Sequence, residues 1–138
     1  MATVNTHSSL KPDGAQSLNT ARDHSFTADE PKQFHGTDEG PTPVEYLLSS
    51  IGACLIVSAK SVARHTKDME LQKFEVDVTG ETQGFPDKSS KIVSALIKID
   101  CDTNLNKPDQ QKFIEETIHR CTIHNTLENA FEMTIEIE

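Results

Sequence analysis

The sequence predicts an α+β fold. Two observations carry that prediction: one long helix with clear start signals, and short alternating apolar and polar stretches after it. The resulting order is strands, long helix, strands, helix, strand.

The long helix is the clearest element. Thr42-Pro43-Val44-Glu45 has the form T-x-x-E with proline at the first helical position, a capping box on a preorganised first turn. Val44, Leu47, Leu48, Ile51, Leu55 and Val62 recur at three- and four-residue steps, so the helix is expected to run to about Lys67. At 1.5 Å per residue it would be roughly 36 Å long. Ile56 and Val57 add apolar surface on a second side, the pattern of a buried helix, while Arg64-His65-Thr66-Lys67 form a polar, basic tail.

Residues 1–41 read as weakly patterned strands and turns. A strand is expected over residues 21–29, ended by Glu30-Pro31, because proline restricts the residue before it. The turn-rich run 35–41 follows, with Gly36 and Gly40. After the long helix, residues 74–78 alternate cleanly and 92–99 less strictly, with a loop over 84–90, which suits an antiparallel hairpin. A second helix is expected from Pro108 to about Arg120, with Phe113, Ile114 and Ile118 on one face. A short helix through Leu127 to Phe131 follows, and residues 133–138 alternate as a closing strand. No internal repeat breaks the chain, so residues 1–138 are expected to form a single domain.

Composition narrows the function. Hydrophobic residues at 35% and charged residues at 25% describe a soluble globular protein. A formal net charge of -9 argues against nucleic acid and against an anionic membrane surface, since both select basic proteins. The polar N-terminus lacks the apolar stretch of a secretory signal, and no segment approaches the roughly 18 apolar residues of a span. A cytoplasmic location is therefore expected. Three widely spaced cysteines do not describe a secreted disulfide scaffold.

In a reducing compartment, a thiol is either core packing or chemistry. Cys54 lies in mid-helix beside Gly52 and Ala53, whose small size would let another segment approach the sulfur. Cys121 lies where one helix ends and another begins, and a helix N-terminus favours the thiolate. His124 stands three residues on, on the same helical face. Either cysteine could equally be a buried small apolar residue. Cys101 has no companion feature and reads as structural. A zinc site through Cys54, Cys121 and His124 is a weaker reading, because no second ligand pair has the required spacing. Hydrolase, phosphate-loop and zincin signatures are all missing. No cofactor is expected.

Two segments carry a resemblance to a known family. The first is Asp29-Glu30-Pro31 followed by Gly36-Thr37-Asp38-Glu39-Gly40-Pro41-Thr42-Pro43-Val44-Glu45-Tyr46-Leu47-Leu48-Ser49-Ser50-Ile51-Gly52-Ala53-Cys54. The second is Cys121-Thr122-Ile123-His124-Asn125-Thr126-Leu127 with the alternating strand after it. Together, in this order, they resemble the OsmC/Ohr family. The resemblance implies an intertwined homodimer with long central helices wrapped by antiparallel sheets. It implies a thiol-dependent peroxidase acting on organic hydroperoxides or similar electrophiles, with Cys54 peroxidatic, Cys121 resolving and a dithiol as reductant. The organic-hydroperoxide branch also uses an N-terminal arginine and a glutamate directly after the helix-opening proline. Here that glutamate position is Val44, with Glu45 next along, and Lys11 and Gly14 stand in the region of the arginine. Arg22 could substitute if its strand points inward, and Glu45 is the candidate for the glutamate's role, though the capping box explains it without one. His124 is a candidate ligand-binding residue. The alternative function is a small-ligand-binding module of the same fold with little or no peroxidase activity.

Overall fold

The computed structural model describes residues 1–138 and divides them into two compact units, 1–47 and 48–138. The α+β expectation holds, with six strands in two sheets and three α-helices.

The first unit carries an antiparallel sheet in the order β1 (His7–Leu10), β2 (Ser17–Ala21), β3 (His24–Ala28). The expected strand over 21–29 is therefore divided, because the chain reverses at Arg22-Asp23 and Ala21 pairs with His24. Arg22 takes the left-handed conformation, φ 55, which lets the two-residue turn follow the twist of the strands. β1 and β2 carry too little apolar alternation to be seen in the sequence.

Beyond β3, Asp29 is buried and gathers the following loop around one carboxylate. Oδ1 accepts the N–H groups of Glu30 (2.8 Å) and Ala15 (3.3 Å). Oδ2 accepts Thr37 N–H (3.1 Å), Thr37 Oγ1–H (2.6 Å) and Glu39 N–H (3.0 Å). Burial alone would raise this carboxyl, but the hydrogen bonds from Thr37, Glu39 and Glu30 outweigh it and hold it well below the usual range. Glycine is required at position 36, where a Cβ would lie 1.7 Å from the Glu30 carbonyl oxygen. An Asp29→Ala variant is expected to loosen residues 29–41, read as faster amide exchange at Thr37 and Glu39. Unchanged exchange there would refute the hub role.

The helix α1 (Pro43–Arg64) opens as the sequence predicts. Glu45 Oε2 accepts Thr42 N–H at 2.7 Å, and Thr42 Oγ1 accepts Glu45 N–H at 3.2 Å, a closed capping box. Tyr46 Oη donates to the Thr27 carbonyl at 2.7 Å, and its ring lies 5.0 Å from that of Phe26. The helix ends at Arg64, short of Lys67, for a local reason. Thr66 Oγ1 donates to the Val62 carbonyl (2.9 Å) and the His65 ring contacts the Ser61 carbonyl (2.8 Å). These side chains take carbonyls that a further turn would need.

The second unit is built on the order β4 (Leu71–Gly84), β5 (Ser90–Thr103), β6 (Glu132–Ile137). β4 and β5 are antiparallel and much longer than expected, because pairing continues through stretches without clean alternation, past an irregularity at Glu81/Thr82. β6 pairs with β5 in parallel, as the crossover through α2 (Lys107–His119) and α3 (Thr122–Leu127) allows, so this sheet is mixed. β4 and β6 form its two edges. Asn106 caps α2, its Oδ1 accepting Asp109 N–H at 2.9 Å. The short helix stops at Leu127 and does not reach Phe131.

Ile51, Leu55, Ala59 and Val62 of α1 form the buried stripe and share a core with Ile97, Ile99, Phe113 and Ile114. Phe74 meets Phe113 edge to face at 6.2 Å. By length and composition alone α1 would suffice for a membrane span, with a mean hydropathy of 1.5 over its 18-residue window. That corrects the expectation that no segment comes near. Its stripe packed into the core, and Lys60 and Arg64 near its end, are the features of a core helix.

Candidate functional site

The three cysteines are all free thiols with different surroundings. Cys54 follows Ile51 by three residues and sits at the margin of the buried stripe of α1, so it is half-buried. Gly52 does not open a path to its sulfur. A Cβ there would meet Val76 of β4 at 3.7 Å, an ordinary contact, and Gly52 points away from Cys54 around the helix.

Cys121 has no solvent exposure and is the N-cap of α3. Its Sγ accepts the His124 N–H at 3.5 Å, in the role that a serine or threonine oxygen plays at other N-caps. Its thiol neighbours that of Cys54, so residues 67 positions apart in sequence meet in this core. Burial pushes the Cys121 thiol up to about 11, and the neighbouring Cys54 adds to the rise. The N–H groups of His124 and Ile123 pull the other way without prevailing. The expectation that the helix terminus would favour the thiolate is thus overturned, because desolvation outweighs two main-chain donors.

His124 is half-buried and serves the pair through its main-chain N–H; its ring Nδ1 lies 3.5 Å from Asn125 Oδ1. Asn125 escaped the sequence reading. Its Nδ2 donates to the His119 carbonyl at 2.9 Å and ties α3 to the end of α2, holding the cap that presents Cys121. The signal was a capping residue at position 121, disguised because cysteine stands where serine or threonine is usual. Cys54, Cys121 and His124 belong to no cluster able to hold a metal ion.

Arg22 is exposed at the β2–β3 turn and lines a hollow of about 450 Å³ with Thr3, Val4, Asn5 and Ala21. It lies in a turn, so the condition of an inward-pointing strand does not apply. Glu45 is engaged in the capping box. Arg120 is paired with Glu116 on its own helix. Cys101 is buried and also pushed up to about 11, first by burial and then by Asp102 and Asp100, with Lys73 opposing. Its carbonyl accepts Gln110 Nε2 at 3.2 Å, consistent with a structural role.

Two neighbouring thiols are the chemical requirement for a cycle between dithiol and disulfide. Similar proteins share the frame around it. An OsmC like protein from Mycoplasma pneumoniae matches with a TM-score of 0.84 at 23% identity, covering 99% of this chain and 95% of that one. The organic hydroperoxide resistance protein OsmC from Legionella pneumophila matches at 0.77 and 13% identity, over 100% and 98% of the two chains. An organic hydroperoxide resistance protein from Elizabethkingia anophelis, with thiocyanate bound, matches at 0.77 and 13%, over 100% and 96%. No curated protein matches the sequence. At these identities the solved structures establish the OsmC/Ohr fold. The family model described as OsmC-like protein matches residues 36–136, which take in both thiols, the second signature and the first from Gly36 onward, and so the chain belongs to the OsmC-like family.

Proposed function

We propose that the protein is a thiol-dependent redox enzyme that reduces organic hydroperoxides, acting as a homodimer of one domain over residues 1–138, in the cytoplasm. The closeness of the Cys54 and Cys121 thiols in one core carries this reading. The names of the Legionella and Elizabethkingia proteins, which refer to organic hydroperoxide resistance, support it.

The Cys54 thiolate attacks one peroxide oxygen; an S–O bond forms, the O–O bond breaks, and the alkoxide leaves as the alcohol after taking a proton from water. The Cys121 sulfur then attacks the sulfenic sulfur; the S–O bond breaks, the thiol proton leaves with the hydroxide as water, and the disulfide forms. A dithiol reductant restores both thiols by two exchanges and ends as its own disulfide. Unequal burial supports these roles, since half-buried Cys54 can meet substrate and Cys121 cannot.

Consumption of an organic hydroperoxide with a dithiol reductant is the direct test. Wild-type protein is expected to turn over and Cys54→Ser to lose consumption; equal rates would refute the assignment. The second reading, a small-ligand-binding module, is favoured by Val44 at the position of the family glutamate. It predicts a ligand retained through purification and thiols that resist alkylation.

A further inference from the structure

The end of α1 and the flank of α2 enclose a hollow of about 460 Å³ that the proposed thiol chemistry does not use. Its floor is apolar, made by Val62, Phe113 and half-buried Leu105. Its rim is charged, and the charges are unequally matched. Lys112 faces Asp109 at 4.0 Å, and Asp109 also accepts Asn106 Nδ2 at 2.9 Å. Glu116 is paired with Arg120. Lys67 is exposed and has no carboxylate partner. What remains is an apolar floor beneath a single uncompensated positive charge. The hollow also borders the first turn of α2, whose dipole adds potential of the same sign.

We propose that this hollow binds a small apolar monocarboxylate, its chain on Val62, Leu105 and Phe113 and its carboxylate against Lys67. Each part of that description is fixed by a feature of the site. The floor removes apolar surface from water, and the volume lies in the ordinary range for small-ligand pockets. The unpaired ammonium selects an anion over a neutral chain. Lys112 and Arg120 are already paired with Asp109 and Glu116, so no second free cation is left to meet a second negative charge. An amine would meet Lys67 with like sign and is excluded.

Titration of the full chain with octanoate, followed by amide and methyl chemical shifts, tests the assignment. Saturable shifts centred on Val62, Leu105 and Phe113 are expected, with 1-octanol and octylamine binding weaker by roughly tenfold or more. Lys67→Glu, at an exposed position that leaves the core intact, is expected to weaken octanoate by a similar factor. Cys54→Ser should bind octanoate as the wild type does, which separates this site from the thiol pair whatever the fate of the peroxidase reading. Absence of saturation, equal affinity for octanol, indifference to Lys67→Glu, or shifts centred on Cys54 would each overturn it.

Discussion

A Cys121→Ser variant is expected to react with one equivalent of organic hydroperoxide and then stop. Serine suits the N-cap, so α3 keeps its first turn and the fold is preserved. What is lost is the second sulfur. Cys54 can still attack and become a sulfenic acid, but the thiol that neighbours it is gone and cannot displace the hydroxide. The sulfenic acid should accumulate, seen as the mass gain of one oxygen and trapped by a dimedone-type probe. Excess peroxide should then drive Cys54 on to the irreversible sulfinic state. Sustained turnover with the dithiol reductant would remove Cys121 from the mechanism.

The roles behind that expectation were only partly legible in the sequence. The capping box at Thr42 and Glu45 and the periodic stripe from Ile51 to Val62 could be read directly, because both are local patterns. The meeting of Cys54 and Cys121 could not, since it depends on how α3 packs against α1. Spacing left each thiol open to a plain core reading, and only the family resemblance paired them. The acidity of Cys121 was misjudged for a related reason. A helix terminus is visible in a sequence, whereas complete burial is a property of the packed core. The long pairing of β4 with β5 and the parallel entry of β6 were likewise invisible, being set by partners distant in sequence.

Alkaline pH is expected to destabilise the fold over a defined window. Cys101 and Cys121 are both pushed up from 9.0 to about 11, chiefly by burial. A thiol is neutral while it holds its proton, and the folded chain holds it more tightly than the unfolded chain does. Stability is therefore intact below pH 9 and declines as the pH rises from there to about 11. Each thiol contributes on the order of 2 kcal/mol to that loss. Urea midpoints measured across this range should fall, and Cys101→Ala should make the decline shallower whatever its absolute stability. Oxidation to the Cys54–Cys121 disulfide should also make it shallower, because Cys121 then has no proton to lose. A flat profile between pH 9 and 11 would contradict the burial assigned to both sulfurs.

The outer edge of β4 has a consequence for life at high concentration. A bare strand of 14 residues is a ready template on which a second molecule could add its own edge, and a third after it. Glu75, Asp77 and Glu81 stand exposed along this one, within a chain of net charge -9. Copies approaching edge to edge would bring carboxylates together at each step, so a growing fibre would repel its next member. The chain's acidity thus works against polymerisation of a long ribbon.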